Sequence, residues 1–174
     1  IRYGTFAFTP GSYSDDGTPV SDTAMAASAS TSRNVAVYAP AGSAPTGVYR
    51  RVSARVKLLS GGASNLLHNA AVLANYRERD DQPGRFSYYV AEIDWDGYYR
   101  GYKLLRLGYF NGSSWVTLFS TAVPELQLDH AYDLSLEVYP HVDDSDAWLV
   151  AKLRGVTVPA IDLTIGPLAV NNYG

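Results

Sequence analysis

The chain has no cysteine, a single methionine and three histidines in 174 residues, and neither charge sign dominates, with 14 Lys and Arg against 17 Asp and Glu. Without cysteine there is no disulfide framework, no thiol nucleophile and no Cys-based zinc site. That composition fits a reducing compartment, or a particle assembled in one, and leaves export open. The near balance of charge removes the electrostatic footprint of a nucleic-acid binder. No run approaches the roughly 18 apolar residues of a membrane-spanning helix, and no charged-then-apolar leader opens the chain, so membrane insertion is not expected. Helix formers nowhere accumulate at 3.6-residue spacing for more than a turn or two.

What the chain does hold is 14 Tyr, 5 Phe, 3 Trp, 15 Gly and 9 Pro, the composition of a strand-rich, turn-rich protein. One domain spanning residues 1–174 is the economical organisation, large enough to bury about two-thirds of its unfolded surface. Residues 1–48 read as irregular edge strands and loops. Thr5–Phe8 and Val35–Tyr38 suggest short strands, and the small-residue segment Gly11–Asn34 reads as a long loop, a short helix over Asp22–Ala29 or a linker.

From Tyr49 to Gly166 the pattern is regular. Val52, Ala54, Val56 and Leu58 alternate with Arg51, Ser53, Arg55 and Lys57, the signature of a half-buried strand with a cationic outer face. Asn69–Tyr76 gives a second strand, and the charged run Arg77–Asp81, closed by Pro83-Gly84, reads as a solvated hairpin tip. Five strands follow, over Phe86–Asp94, Tyr102–Phe110, Ser114–Thr121, Ala131–Tyr139 and Ala147–Arg154. The turn Asn111-Gly112 is the most secure hairpin, because both residue types accept positive φ. Ile161–Ile165 reads as one more strand, ended by Gly166-Pro167. The fold expected is all-β, a two-sheet antiparallel sandwich. Its core is expected to be Val52, Val56, Tyr89, Ala91, Ile93, Leu105, Leu107, Val116, Leu118, Tyr132, Leu134, Leu136, Val138, Leu149 and Leu153.

The order of features, with Tyr88-Tyr89-Val90-Ala91, then Tyr109-Phe110-Asn111-Gly112, Trp115-x-x-Leu118, Tyr132 to Val138 and Trp148 to Gly155, resembles the concanavalin A-like lectin/glucanase superfamily. Within it the likeness is nearest to the laminin-G-like and pentraxin-like jelly rolls of secreted carbohydrate-binding proteins and of phage tail and virion proteins. It covers residues 49–166 and rests on structural positions, so it implies a fold more than a function. It implies a location on a virion or outside the cell, an adhesion role, membership of an oligomer or larger particle, and a glycan or neighbouring structural protein as partner. The family's last strand pairs beside its first; here Leu168–Tyr173 would begin such a strand, which the resemblance leaves incomplete.

Glu92, Asp94 and Asp96 stand at alternate positions of one strand and therefore project from one face. The β-glucan-cleaving members of the superfamily carry Glu-x-Asp-x-Glu there, so the resemblance assigns Glu92 as nucleophile, Asp94 as modulator and Asp96 as acid in a glycoside hydrolase. The fit fails at its last place. Retention needs carboxyl groups about 5 to 5.5 Å apart, positions i and i+4 on a strand are about 13 Å apart in rise, and Asp is one methylene shorter than Glu. Asp96 also abuts Gly97 and reads as a turn residue. The preferred expectation is a non-catalytic face, on which Arg55, Arg77 or Arg106 could pair with Glu92.

Aromatic residues exceed what one core hides: Tyr88, Tyr98, Tyr99, Tyr102, Trp115, Tyr139 and Trp148. Sugar rings stack on such faces while planar charged groups take their hydroxyls. The expected glycan-contacting set on the concave face is Arg55, Tyr88, Glu92, Arg106 and Trp148, with Tyr98 and Tyr99 in an adjoining loop. His68, His130 and His141 stand at strand ends or in loops, with no carboxylate spaced to orient them. No cofactor is expected. Asp143, Asp144 and Asp146, like Asp15-Asp16-Gly17, offer oxygen ligands for calcium but lack a recognisable loop pattern, and solvated turns are the preferred reading.

Overall fold

The computed structural model describes residues 2–3, 6–14, 19–27, 35–36, 50–58, 67–79, 82–96, 101–140, 146–156, 158 and 160–171; for 1–50 and several strand ends it describes backbone only. The chain divides into two compact units, Ile1–Ser43 and Ala44–Gly174. All described regular structure is strand.

In the first unit β1 (Arg2–Tyr3) pairs with β4 (Val35–Ala36), and β2 (Phe6–Ser14) pairs antiparallel with β3 (Pro19–Ala27) from Phe6 opposite Ala27 to Ser14 opposite Pro19. The segment read as loop, helix or linker is thus largely a hairpin. Asp22–Ala27 lies on a strand because β2 pairs with the backbone groups along one of its edges, a gain that weak local helix preference does not match.

The second unit is a two-sheet antiparallel β-sandwich. One sheet has the order β12 (Asp162–Asn171), β11 (Asp146–Gly155), β10 (Ala131–Pro140), β5 (Arg50–Lys57); the other runs β6 (Leu67–Arg79), β7 (Gln82–Asp96), β8 (Tyr102–Asn111), β9 (Trp115–Ala122). The alternation of the sequence explains the layering. Tyr89, Ala91 and Ile93 of β7, Leu105 and Leu107 of β8, Tyr132, Leu134, Leu136 and Val138 of β10, and Leu149 and Leu153 of β11 form one buried cluster between the sheets, with Val52, Val56 and Leu118 packed against it. Every residue of the expected core is there except Val116, which is half-buried outside the cluster. Val123, Leu126 and Ile161, in the connections, close the core from its ends.

Three local readings are refined or corrected. The hairpin read at Arg77–Asp81 forms with longer arms, since Arg77–Arg79 and Pro83-Gly84 continue strands β6 and β7 to Arg79 opposite Gln82, while Asp80 and Asp81 lie outside the described residues. Asp96 is the last residue of β7, opposite Leu67 and Tyr102, and not a turn residue. Gly166-Pro167 does not end a strand: β12 runs through it, with two residues standing opposite the single Val150 between the Leu149 and Ala151 pairs. This bulge accommodates the punctuation without breaking the sheet.

Gly166 has φ +105°, and a Cβ there would lie 2.4 Å from the Leu149 carbonyl oxygen. Gly166→Ala should therefore cost about 2–3 kcal/mol from positive-φ strain and steric overlap. A urea midpoint equal to that of the parent protein would refute the requirement for glycine. The Asn111-Gly112 hairpin forms as expected, but only Gly112 takes positive φ, at 90°. Asn111 acts through its side chain, whose Oδ1 accepts hydrogen bonds from Ser113 N at 3.0 Å and Ser114 N at 2.8 Å.

Candidate functional site: two outer sheet faces

The residues expected to form one sugar-binding surface fall on two. Tyr88, Glu92 and Arg106 lie on the outer face of the β6-β7-β8-β9 sheet, whereas Arg55 and Trp148 lie on the outer face of β12-β11-β10-β5. Parity turns them outward, since Tyr88, Val90, Glu92 and Asp94 alternate with core residues of β7 and Arg55 and Trp148 with core residues of β5 and β11, and the strand order divides them between the two sheets. Tyr98 and Tyr99 lie outside the described residues, as do Asp143 and Asp144, and only the backbone of Asp146 is described.

On the first face the acids are buried. Glu92 is 5% exposed and Asp94 1%, beside Tyr88 and Val90, which are also buried. Their partners are reached diagonally. Asn69, opposite Asp94 in register, donates from Nδ2 to Glu92 Oε1 at 2.8 Å. Arg106, opposite Glu92, brings Nε to 2.8 Å from Asp94 Oδ2. This second contact is coulombic, without the alignment of a hydrogen bond. Arg106 therefore answers a carboxylate of this face, as expected, but Asp94 and not Glu92. Arg55 pairs elsewhere, through Nε and Nη2 to the two carboxylate oxygens of Asp133 at 2.9 and 3.3 Å. Tyr88 stacks on Phe110, its register partner, with centroids 5.4 Å apart.

The second face is open and differently furnished. Tyr139 and Trp148 are direct cross-strand partners, 40% and 39% exposed. Glu137, two residues from Tyr139 on β10, is only 3% exposed. Its Oε2 accepts from the Tyr139 hydroxyl at 2.6 Å and its Oε1 from Lys152 Nζ at 2.7 Å, while Arg51 Nε stands 3.9 Å away. Tyr139 stands among the surplus aromatics of the sequence, whereas no motif in it singles out Glu137, Lys152 or Arg51 for a role. The signal in the sequence is parity alone: β5, β10 and β11 each alternate polar with apolar residues, which turns these acids and cations outward, and the strand order brings them together.

The hydrogen bond from Lys152, and next that from Tyr139, hold the Glu137 carboxyl below its ordinary value of 4.5 against the opposing effect of burial. A lowered folded-state pKa adds stability that is complete above the unfolded value and is lost as pH falls through the folded one. Stability should thus decline on acidification below about pH 4.5, and Lys152→Gln should flatten that decline. Urea titrations between about pH 6 and pH 3 test this; identical slopes in the two proteins would count against it.

Among the described residues no group of three or more His, Asp or Glu is placed to hold a metal ion. Comparison with family models, with curated proteins and with solved structures returned no match.

Proposed function

We propose that this chain is a non-catalytic recognition and structural module, carried on a virion or secreted assembly, that binds glycan through the outer face of the β12-β11-β10-β5 sheet. The observation that carries the reading is the exposed Tyr139–Trp148 pair beside the Glu137 cluster: two aromatic rings in one row of a sheet, flanked by fixed polar groups. Flat aromatic surface and oriented donors are what a sugar ring requires. The extracellular or virion setting, the expectation of a larger oligomer and the adhesion role rest on the resemblance to laminin-G-like jelly rolls in the concanavalin A-like superfamily.

The reading as a non-enzyme draws support from the state of the acidic strand. Glu92 and Asp94 are buried, and each is held by a side chain of a neighbouring strand, whereas general acid and nucleophile must reach a substrate. A glycan array with the parent protein and Trp148→Ala tests the proposal, with binding lost in the variant as the expected result. Hydrolysis of a β-glucan panel that disappears in Glu92→Gln would establish the glycosidase instead.

A further inference from the structure

We infer that the flank of the sandwich between β9 and β12 takes an extended, uncharged segment of a partner protein, which adds to the edge of β9 as a further strand and sets alternate apolar side chains into the cleft there. This site is separate from the Tyr139–Trp148 face and does not depend on glycan binding.

β9 is an edge of its sheet and β12 an edge of the other, and a cleft of about 250 Å³ opens between them. Phe119 and Thr121 form its β9 wall, Leu163, Ile165 and Leu168 much of its β12 wall, and no charged residue is among the described residues that line it. Phe119 stands opposite Leu107, a fully buried core residue, so its ring is turned toward the core. It is nevertheless 45% exposed. The core of the sandwich is thus open to solvent along this flank.

The edge of β9 is unguarded where the other edges are not. β12 carries Pro167 and the bulge at Val150, β5 carries Arg50, Arg51, Arg55 and Lys57, and β6 ends in Arg77, Glu78 and Arg79. Proline, bulges and charge are what keep a further strand from adding to an edge. β9 holds no charged residue and no proline. Its one irregularity, Leu118 left between the Gly108–Thr117 and Leu107–Phe119 pairs, lies on the Trp115 side of the residues that border the cleft. Beyond it the ladder fixes which backbone groups turn outward. Val123 N donates to the Lys103 carbonyl, one step past the Leu104–Ala122 pair. By the alternation of an antiparallel ladder, the N–H and C=O groups of Ser120 and Ala122 then face away from β8. Among the described residues no strand pairs with them on that side.

Backbone donors and acceptors at strand spacing, set beside an apolar cleft, are met together by an extended peptide with apolar residues at alternate positions. An acyl chain would fill the cleft and leave the backbone groups unpaired. A sugar would meet the backbone groups and not the walls, and a charged segment would bring ions against apolar surface. The cleft exceeds the roughly 150 Å³ that holds benzene, so it admits a side chain of leucine or phenylalanine size. The β9 strand of a second copy fits less well, because Leu118 breaks the alternation that such a strand needs.

Fluorescence anisotropy of a dye-labelled, end-capped peptide of alternating threonine and leucine, titrated with the full chain, tests the inference. A saturable rise is expected, with amide hydrogen exchange of Ser120 and Ala122 slowed in the complex. A counterpart methylated at every peptide nitrogen keeps the side chains, loses the donors, and should not bind. Phe119→Lys and Ser120→Pro should each weaken binding roughly tenfold or more. Ser120→Pro removes an outward N–H that the sheet does not use, as edge prolines do, so the fold is kept, and urea midpoints of the variants check this. No rise with the threonine–leucine peptide overturns the inference. Equal binding of the methylated counterpart, or binding that ignores Ser120→Pro, reduces the cleft to an apolar sink and overturns strand addition. A dimer in sedimentation velocity that Ser120→Pro dissolves gives the edge to a second copy and overturns the assignment to a partner. The glycan array reads a different face, so failure here leaves the glycan proposal to its own test.

Discussion

Replacing Tyr132 by phenylalanine is expected to lower stability by about 1–3 kcal/mol, and replacing it by alanine by about 3–5 kcal/mol. The ring of Tyr132 is fully buried in the core at the start of β10. Its hydroxyl accepts from Gln127 N at 2.7 Å and donates to Gln127 O at 3.0 Å, five residues upstream. Burial pushes the phenol above its ordinary value of 10.0, with the Gln127 backbone bond acting the other way, so the group stays neutral and keeps its proton for donation. One side chain thereby ties the connection after β9 to β10, an interior strand of the opposite sheet, in the manner of the tyrosine corners of other sandwiches. The phenylalanine variant isolates the hydrogen bonds, because ring and packing are retained while a backbone N–H and C=O lose their partner. Urea unfolding of the three proteins measures it. A phenylalanine variant as stable as the parent would mean that water replaces the hydroxyl at no cost.

That Tyr132 would be a core residue was legible, because Tyr132, Leu134, Leu136 and Val138 alternate with Asp133, Ser135 and Glu137. That its hydroxyl would anchor Gln127 was not. The bond depends on how the connection from Val123 to His130 folds back, with Asp129 N donating to the Leu58 carbonyl and Leu126 N to that of Val123, and no periodicity encodes such a path. The same division runs through the sandwich. Period-two alternation located the strands of residues 49–166 and their inward faces, because one wrong register step would expose a whole apolar set.

Alternation does not say which strands become neighbours. Arg55, Trp148, Glu92 and Arg106 all have outward parity, yet the strand orders β12-β11-β10-β5 and β6-β7-β8-β9 send the first two to one outer face and the last two to the other. The candidate site was therefore legible residue by residue and not as a surface. Gly166-Pro167 shows another limit: the residues that end strands also make bulges, and only the partner strand, with Val150 unpaired between Leu149 and Ala151, distinguishes the two.

Arg106→Leu should be among the more damaging single substitutions, at about 3–5 kcal/mol, because it removes the guanidinium that faces a deeply buried carboxylate. Asp94 is 1% exposed and Arg106 Nε lies 2.8 Å from its Oδ2, so the guanidinium compensates a charge whose desolvation has already been incurred in folding. The double variant Asp94→Leu/Arg106→Leu should recover most of the loss, since removing both charges leaves no uncompensated ion and adds apolar contact on a face already lined by Val90 and Tyr88. Asp94→Leu alone should be milder than Arg106→Leu, because the arginine that remains is 31% exposed on its side chain and keeps access to water. Urea midpoints order the four proteins. Should Arg106→Leu fail to fold, Arg106→Lys supplies the graded member, retaining the charge without the planar fork. Equal midpoints for the parent and Arg106→Leu, or a double variant worse than either single change, would mean that Asp94 does not depend on Arg106. The acidic strand would then lose its structural explanation, and a catalytic role for Glu92 and Asp94 would gain ground. Recovery in the double variant instead makes the pair a structural element of the sheet, one that an apolar pair can replace.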